Sequence, residues 1–385
     1  LALEAKQVLL RAEAGVTLAD GMRRFVPRGW FPGVGPGTQQ VSLGGCVAAD
    51  VHGKNHHRDG VFSDWTKELV LLTAEGKRLR CSSNRNSGAF WATVGGMGLT
   101  GTIGEVTLRL RPIESAYLIA ENHPTSNLEE TIAYLDDETF DDEYTVAWVE
   151  GLATGPALGR GVYMRGHHAA LDELPDKLRT HPLQIPGRGA YRVPVDFPGW
   201  VLNTILLQVF NALYYRRQGA RRTPYVIDYA SFFHPLDAIG DWNRLYGRAG
   251  FLQYQCVVPT DGGKQVLHNI LDRLATNGHG SFLAVLKKFG PEARGLLSFP
   301  MPGYTLAVDI PRRGDSLLAL LDGLDREVAA CGGRVYLAKD ARLSPETFRV
   351  MYPRYAEWYT QKRKLDPELV FSSSLSRRLL LEEGP

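Results

Sequence analysis

The sequence predicts an α+β protein with two domains. Stretches in which apolar and polar residues alternate are typical of strands, and they are interspersed with stretches whose apolar residues are spaced by three and four, as in helices. A chain of 385 residues with 44% hydrophobic content can bury a large core, and chains of this length usually form more than one domain. Up to about Ile113 the pattern is one of short strands, turns and glycine-rich loops, whereas longer elements follow.

Five segments carry the alternating or β-branched and aromatic pattern of strands. They are Val8–Ala14, Thr102–Leu110, Thr145–Gly151, Gly250–Pro259 and Arg334–Lys339. Because side chains alternate along a strand, Tyr336 and Ala338 would share one face of the last segment and Lys339 would point the other way.

Four segments are predicted as helices: 87–94, one that starts at Ser126, 317–331 and one that starts at Ser344. Ser126 and Glu129 have the spacing of a capping box. One face of that helix would carry the apolar residues Leu128, Ile132 and Leu135. Gly332 and Gly333 are a typical helix end, and Ser344 followed by Pro345 is a typical start.

Two glycine-rich segments indicate a bound cofactor. Residues 32–60 contain seven glycines and include HGKNHH, and residues 90–101 read FWATVGGMGLTG. Such glycines let the backbone approach a large, flat ligand or turn with positive φ. Residues 96–101 match the G-x-G-x-x-G pattern of nicotinamide-binding folds, in which a strand precedes the glycines and a helix follows. Here the predicted helix comes first and the strand second, so a Rossmann domain is not predicted.

Composition excludes several other classes. A net charge of +2 without a long Lys/Arg run argues against a nucleic-acid partner. The four cysteines lack disulfide-framework or zinc spacing. His52 and His56 could share a metal only if a helix ran through Gly53 and further ligands completed the site, so we predict no metal. No signal peptide is visible, which favours a cytoplasmic location.

Several motifs occur in the order found in one flavoprotein family. They are PGTQQVSLGG at 36–45, DVHGKNHH at 50–57 and FWATVGGMGLTG at 90–101. In these motifs the chain resembles the vanillyl-alcohol-oxidase type of FAD-linked oxidoreductase, with its PCMH-type FAD domain. More narrowly, it resembles the branch that oxidises polyprenyl-phosphoryl ribose, and this similarity continues through residues 232–255, 297–304, 336–343 and 364–379. It therefore covers nearly the whole chain.

The resemblance implies three segments. Residues 1–113 would form the second lobe of the FAD-binding domain, 114–333 a substrate-binding domain on an antiparallel sheet, and 334–385 a segment that returns to the FAD-binding domain. The upstream lobe of the family's FAD domain has no counterpart here, and we expect that the sequence is truncated. FAD would be bound non-covalently, and the implied cofactor-binding residues are Gly37, Thr38, Gly44, Gly45, His52, Gly53, Asn55, Gly98, Gly101 and Tyr336.

The resemblance also implies that Lys339 is the catalytic residue. Its amine would accept the proton of the substrate hydroxyl, or its charge would stabilise the developing alkoxide. Desolvation would favour the neutral amine, whereas the structural alternative is a surface lysine paired with Asp340. The implied substrate-binding residues are Trp148, Gln253, Gln255 and Lys287. The two glutamines would share a strand face, which suits sugar hydroxyls or an exposed polar face.

Two positions depart from the family, and one segment is unusually apolar. Better-known relatives carry cysteine and asparagine where this chain has Ala307 and Thr305; alanine removes thiol chemistry without affecting hydride transfer.

The apolar segment 197–215 is too short and too interrupted to predict a transmembrane helix. It indicates either a buried helix or a membrane-surface element beside basic residues, which are Arg216, Arg217, Arg221 and Arg222.

The resemblance implies one leading function and leaves two alternatives open. The leading one is FAD-dependent oxidation of the 2′-hydroxyl of decaprenylphosphoryl-β-D-ribose to a ketone. A nicotinamide-dependent keto-reductase partner would then complete an epimerisation that supplies arabinose for cell-wall arabinan. The alternatives are FAD-dependent oxidation of a soluble sugar or aldonolactone, and a non-catalytic subunit that binds the lipid sugar or scaffolds the reductase. Quinone and dioxygen stay open as electron acceptors. The protein would be cytoplasmic or peripherally membrane-associated, with the periplasmic face as the alternative.

Overall fold

The computed structural model describes residues 8–137, 139, 141–187, 191–198, 204–221, 224–281, 283–312 and 314–385. These residues form two compact units. The first comprises the described residues up to Glu114 together with Gly290–Met301 and Ala341–Pro385, and the second comprises Ser115–Phe289 and Pro302–Asp340. Each unit combines an antiparallel sheet with helices, so the predicted α+β class is confirmed.

The elements of the described residues are numbered in chain order. The strands are β1 (Leu9–Glu13), β2 (Trp30–Pro32), β3 (Thr66–Leu72), β4 (Arg78–Cys81), β5 (Thr102–Pro112), β6 (Tyr117–Thr125), β7 (Tyr144–Val149), β8 (Gly161–His168), β9 (Tyr191–Arg192), β10 (Tyr225–Asp228), β11 (Ile239–Gly240), β12 (Phe251–Val258), β13 (Ala284–Phe289), β14 (Gly303–Pro311) and β15 (Arg334–Val335). The helices are α1 (Leu18–Phe25), α2 (Leu43–Ala48), α3 (His56–Asp59), α4 (Ser87–Thr93), α5 (Leu128–Asp136), α6 (Asp176–Arg179), α7 (Thr204–Gly219), α8 (Tyr229–Phe233), α9 (Thr260–Thr276), α10 (Gly314–Ala330), α11 (Pro345–Met351), α12 (Tyr355–Leu365) and α13 (Ser374–Arg378).

The first unit is built on a sheet in the order β1-β5-β3-β4, with β2 also paired to β5. All of these pairs are antiparallel. Helix α4 precedes β5, and the second glycine-rich segment connects them. A helix before these glycines and a strand after them is the reverse of the nicotinamide-binding order, so the prediction against a Rossmann arrangement at this site is confirmed.

The second unit is built on an eight-stranded sheet in the order β10-β6-β8-β7-β13-β14-β12-β15. Every neighbouring pair is antiparallel, so the prediction of an antiparallel sheet is confirmed. Helices α9 and α10 pack near β12 and β14. The apolar residues on the α9 and α10 faces that the sheet buries are Leu267, Leu271, Leu321, Leu324 and Val328. None of the described helices is long and apolar enough to cross a membrane.

Most predicted elements are present with shifts of one to three residues at their ends. The first four predicted strands correspond to β1, β5, β7 and β12, and the helix predicted over 87–94 is α4. Helix α10 ends before Gly332, which has a φ of 79°, and Ser344 caps α11 by accepting a hydrogen bond from the amide of Thr347. The buried face predicted for α5 is also confirmed.

The predicted cap of α5 is wrong by one residue. Asn127, not Ser126, is the N-cap, and its side chain accepts a hydrogen bond from the amide of Glu130 at 2.9 Å. The carboxylate of Glu130, rather than that of Glu129, accepts from the amide of Ser126 at 2.7 Å. Asparagine is as good an N-cap as serine, so the sequence around 126–130 fits two registers and the structure adopts the second.

The strand predicted over Arg334–Lys339 is largely wrong. Only β15, two residues long, pairs with β12, and residues 337–339 form a 3-10 turn in which the amide of Lys339 donates to the carbonyl of Tyr336 at 3.0 Å. The strand-face alternation expected for Tyr336, Ala338 and Lys339 therefore does not apply. Residues up to Asp340 belong to the second unit, whereas the prediction placed 334–385 with the FAD-binding domain.

A second difference from the predicted segments is the insertion 290–301, which belongs to the first unit. The buried carboxylate of Asp50 holds it, because the hydroxyl of Ser298 donates to Asp50 at 2.5 Å. The amide of Gly290 donates to Nδ1 of His56 at 3.0 Å. Burial raises the pKa of Asp50 to about 7 against the effect of its hydrogen bonds.

A buried ion pair organises the C-terminal part of the first unit. Lys362 and Asp366 are 2% and 0% exposed and lie one helical turn apart at the end of α12. The Lys362 ammonium also donates to the carbonyl of Phe371 at 2.8 Å. Asp366 accepts from the amides of Val370 and Phe371, both at 2.8 Å. The pair thus fixes the chain that leaves α12.

Replacing Lys362 by methionine should lower the free energy of unfolding by about 3–5 kcal/mol, because it leaves the Asp366 carboxylate buried without its cation. Urea unfolding followed by circular dichroism measures this. The matched control is Lys77→Met, since Lys77 pairs with Glu75 on the surface and exposed pairs contribute about 1 kcal/mol or less. Equal losses in the two variants would contradict the assignment.

Candidate functional site

The first glycine-rich segment forms two backbone loops that lie against each other in the first unit. A Cβ on Gly53 would come within 3.1 Å of the carbonyl oxygen of Gly35 and within 2.5 Å of Oδ1 of Asn55, so this close approach requires glycine. By contrast, nothing lies within 4 Å of the Cβ that Gly35 or Gly37 would carry. The loop around residues 35–37 is therefore open.

Asn55 and His52 are buried beside this open loop. The side-chain amide of Asn55 donates to the carbonyl of Gly33 and to Asp59, both at 2.7 Å, and so fixes the two loops together. His52 forms an isolated β-bridge with Val61, and its ring centroid lies 5.6 Å from that of Phe299. Burial lowers the pKa of the neighbouring Lys54 to about 7, which makes its neutral form accessible at physiological pH.

His52 does not share a helix with His56 and His57. Helix α3 begins at His56, three residues after Gly53, and His56 accepts the hydrogen bond from Gly290 described above. Within the described ranges, no group of three or more His, Cys, Asp or Glu side chains is arranged to hold a metal ion.

The remaining glycines predicted to contact FAD divide into two kinds. Gly44 and Gly101 approach the protein itself: a Cβ would lie 2.9 Å from the Ala14 Cβ and 2.6 Å from the Leu72 carbonyl oxygen, respectively. Their packing within the first unit already accounts for glycine. Gly98 has a φ of 75° and open space around it. Gly45 donates to the Ser42 hydroxyl, and Thr38 accepts from the amide of Gln40; the roles of all these residues toward FAD stay predictions.

In the second unit, three residues noted in the sequence analysis, Trp148, Gln255 and Ala307, lie in one row across the sheet together with Val285. Gln255 on β12 lies opposite Ala307 on β14, Ala307 lies opposite Val285 on β13, and Val285 lies opposite Trp148 on β7. Directly opposed residues project from the same face of a sheet. The row therefore places Trp148 and Gln255 on a common face, with Ala307 and Val285 between them.

The same face carries two further cross-strand pairs, because residues two apart on a strand share a face. Lys287 lies opposite Thr305, and Gln253 lies opposite Asp309. We call this surface the polar face, and it comprises Trp148, Gln253, Gln255, Val285, Lys287, Thr305, Ala307 and Asp309. The predicted sharing of one face by the two glutamines is confirmed.

Hydrogen bonds hold the polar side chains of this face in place. The amide nitrogen of Gln255 donates to the hydroxyl of Thr305 at 3.0 Å, and that of Gln253 donates to Oδ1 of Asp309 at 3.0 Å. Gln255 is only 2% exposed, so the alternative of an exposed polar face is wrong for this residue. Lys287 is half-buried, and its ammonium lies 5.9 Å from the ring centroid of Phe289.

Lys339 and Tyr336 lie at the β12 side of the polar face. The amide of Tyr336 donates to the carbonyl of Gln255 at 2.8 Å, which anchors the 3-10 turn carrying Lys339. Desolvation lowers the pKa of Lys339, and the carboxyl of Asp309 acts in the opposite direction. Asp309 is thus an acidic group that acts on this lysine.

Asp309 is the residue that the sequence analysis missed. It is 4% exposed, and burial raises the pKa of its carboxyl despite the charge of Lys339 and the hydrogen bond from Gln253. The available signal was an acidic residue inside the otherwise apolar strand GYTLAVDIP, because an isolated buried carboxylate is costly and so usually has a partner. A half-buried lysine and a buried carboxyl that interact can hold and move a proton.

The first unit also meets the requirements of a large cofactor. Its open loop exposes backbone at Gly35 and Gly37, where no side chain intervenes, and the buried His52 and Asn55 flank it. Glycine-rich backbone of this kind can lie close to a pyrophosphate or a flat ring. The residues present therefore fit FAD.

Comparison with known proteins finds a matching family profile and several relatives. The profile of a family described as FAD binding domain matches residues 1–82. A protein named decaprenylphosphoryl-β-D-ribose oxidase, from Mycolicibacterium smegmatis, is 43% identical over 97% of this chain and 81% of its own length.

Two other relatives are informative. An uncharacterised protein of Streptomyces coelicolor is 37% identical over 94% of this chain and the whole of its own length. The L-gulonolactone oxidase of Bos taurus is 30% identical over 37% of this chain and 31% of its own length. The chain is an FAD-dependent oxidoreductase, and it belongs to the decaprenylphosphoryl-β-D-ribose oxidase family.

Proposed function

We propose that this enzyme oxidises the 2′-hydroxyl of decaprenylphosphoryl-β-D-ribose, or a closely similar polyprenyl-phosphoryl ribose, to the 2′-keto sugar. The observation that carries the proposal is the polar face of the second unit, on which amides, a lysine and a buried carboxyl lie together beside Lys339. The 43% identity to a protein named for this substrate supports it over nearly the whole chain.

We assign proton acceptance to Lys339. Oxidation of a secondary alcohol removes a proton from oxygen and a hydride from carbon, and bound FAD supplies the hydride acceptor. Desolvation favours the neutral amine of Lys339, which is the form that can take the hydroxyl proton. The charge of the Asp309 carboxyl, which raises the pKa of Lys339, would stabilise the resulting ammonium. This favours the proton-acceptor alternative over a permanently charged lysine.

The remaining side chains of the polar face would bind the substrate. Gln253 and Gln255 offer amides of the kind that pair with sugar hydroxyls, and their bonds to Asp309 and Thr305 fix their orientation. Lys287 offers a cation for the phosphate, since it lies on the same face. Trp148 is 4% exposed, and its ring centroid lies 4.7 Å from that of Tyr214 with the two rings tilted by 55°, so it would form a rigid wall.

The proposal includes three further elements. FAD would be held non-covalently, with Gly37, Thr38, His52, Gly53 and Asn55 as its main contacts. A nicotinamide-dependent keto-reductase would reduce the keto product and so complete an epimerisation for arabinan synthesis. The protein would associate peripherally with a membrane, where its lipid substrate lies. A soluble sugar or aldonolactone is the second candidate substrate, favoured by the likeness to L-gulonolactone oxidase over part of the chain.

The decisive experiment is the visible spectrum of the purified protein, followed by anaerobic addition of a short-prenyl phosphoryl ribose. Bleaching of the flavin bands would support the proposal, and release of the flavin by acid precipitation would support non-covalent binding. Bleaching by free ribose or an aldonolactone but not by the phosphoryl ribose would favour the second substrate class. Protein without flavin bands would favour a non-catalytic lipid-sugar-binding or scaffold subunit.

Replacing Lys339 by methionine should lower kcat/KM by about a hundredfold or more, because general-base catalysis typically contributes 10²–10⁴-fold. Stopped-flow flavin reduction measures the loss, and the flavin spectrum shows whether the variant still binds FAD. Lys177→Met is the control, since Lys177 is exposed in the same unit. A variant that reduces flavin at the rate of the wild type would remove Lys339 from the mechanism.

Replacing Asp309 by asparagine should shift the pH profile of flavin reduction to lower pH. If neutral Lys339 is the active form, activity rises as pH increases through the pKa of Lys339. The Asp309 charge raises that pKa, so its removal lowers it and moves the rising limb downward in pH. Asp176→Asn, at a surface aspartate whose side chain is 97% exposed, should leave the profile in place. A profile that falls with pH in the wild type would instead indicate a charged lysine.

Thiol-directed flavin-site inhibitors should not inactivate this enzyme, because position 307 is alanine. Burial raises the pKa of Cys46 to about 12 and that of Cys81 to about 11, and it also raises the pKa values of Cys256 and Cys331, so all four thiols are poor nucleophiles. Ala307→Cys should create stoichiometric, substrate-protected labelling, detected by mass spectrometry. Labelling of the wild type within the polar face would show this account to be mistaken.

A further inference from the structure

Helix α7 in the second unit carries an exposed apolar face. The side chains of Ile205, Val209 and Leu213 are 72%, 52% and 61% exposed, and Leu206 and Phe210 are also exposed. Ile205, Val209 and Leu213 are spaced by four positions, and Leu206 and Phe210 directly follow the first two. The five side chains therefore form one stripe along the helix. Apolar stripes of this size on a soluble surface usually mark an interaction site.

The opposite face of α7 fixes the helix to the sheet. The amide of Asn122 on β6 donates to the carbonyl and side-chain oxygens of Gln218 at 3.2 and 3.1 Å. The hydroxyl of Tyr215 donates to the carbonyl of Thr125 at 3.3 Å, and Leu207 is buried. One face of α7 is therefore packed and hydrogen-bonded against the sheet, and the apolar stripe on the other face is exposed. The helix is buried on one side only.

Basic residues continue the stripe at the end of the helix. Arg216 follows Leu213 by three positions and Val209 by seven, which places it in line with them on a helix. Arg216 and Arg217 are exposed in the last turn, and Arg221 is exposed just beyond it, where its guanidinium lies 5.0 Å from the Tyr225 ring centroid. No acidic residue occurs between 197 and 222. Residues 199–203 and Arg222, which belong to the predicted apolar and basic segment, lie outside the described residues.

We propose that this stripe, residues 205–217 of α7, docks the enzyme onto an anionic lipid bilayer. The helix would lie in the plane of the interface, with Val209 and Leu213 inserted below the headgroups and Arg216 and Arg217 on the lipid phosphates. A 16-residue helix is about 24 Å long, too short to span a bilayer but typical of interfacial helices. A purely apolar protein partner would not need the aligned arginines.

This inference deepens the proposed function. It rests on the proposed function in one respect only, which is the reason for the enzyme to be at a membrane. A substrate with a polyprenyl tail partitions into the bilayer, so a docked enzyme meets it there. The recognition itself depends on the chemistry of α7 and can be tested without substrate.

The test is co-sedimentation of the holoenzyme with phosphatidylglycerol-containing vesicles and with pure phosphatidylcholine vesicles at low salt. We expect binding to the anionic vesicles that weakens as salt rises. The double variant Val209→Gln, Leu213→Gln should bind at least about tenfold more weakly, because inserted apolar groups supply much of the affinity. The control is Val350→Gln, Val370→Gln, since these two valines are exposed apolar residues of the other unit.

A second pair of variants tests the charge. Arg216→Gln, Arg217→Gln should weaken binding about 30-fold at low salt, since each basic residue near an anionic surface contributes about fivefold. Arg23→Gln, Arg24→Gln is matched, because both arginines are exposed in the last turn of α1, and it should bind like the wild type.

Equal vesicle binding by all variants, or no binding by the wild type, would overturn the docking proposal. So would self-association of the wild type, abolished by Val209→Gln, Leu213→Gln in analytical ultracentrifugation without any vesicle binding, because the stripe would then serve a second copy. Flavin reduction by the short-prenyl substrate in solution, measured on the same variants, separates the two proposals: it should be unchanged if docking alone is affected. Vesicle binding without flavin reduction would keep the docking surface and remove the proposed substrate.

Discussion

The register between β12 and β14 is the constraint on which the candidate site depends. It places Gln255 opposite Ala307 and Gln253 opposite Asp309, and a shift of one residue would turn all four side chains to the opposite face. The same strand β12 pairs with β15 and accepts, at Gln255, the hydrogen bond that anchors the turn carrying Lys339. One strand therefore positions both the proposed binding amides and the proposed base.

The burial of Asp309 is understandable only together with this register. A carboxyl inside an apolar strand is destabilising unless hydrogen bonds or a cation offset its desolvation. Gln253, directly opposite Asp309 in the strand pair, supplies the hydrogen bond, and Lys339 supplies the cation. The charge of Lys339 lowers the pKa of Asp309, and the charge of Asp309 raises the pKa of Lys339, so each residue favours the charged form of the other. Burial favours the neutral form of both. A proton can therefore be exchanged between substrate and lysine with a smaller change in solvation than in an apolar pocket.

Elements with strong periodicity could be predicted from the sequence. Elements whose sequence fits two local conformations could not. Strand β12 and helix α10 follow from alternation and from apolar spacing with a glycine stop, so they were predicted closely. The turn at 337–339 was not, because YLAKD has strand-like residues and nothing in its pattern reveals that β15 stops after two. Asn127 displaced Ser126 as a cap because both are good acceptors. The polar face could be predicted only in part: alternation paired the glutamines, but cross-strand partners such as Asp309 depend on register, which periodicity does not contain.

Glycines in the first unit have two different structural roles. At Gly53 and Gly101 the absent side chain lets the protein's own backbone pack closely, whereas at Gly35, Gly37 and Gly98 it leaves space. A glycine count cannot separate these two uses, since both favour the same residue. The open positions are the ones at which a cofactor could approach the backbone, and the closed ones explain how the loops around them are held. Substitution by alanine should therefore affect folding at Gly53 and Gly101, and cofactor affinity at Gly37, where the backbone is otherwise unstrained.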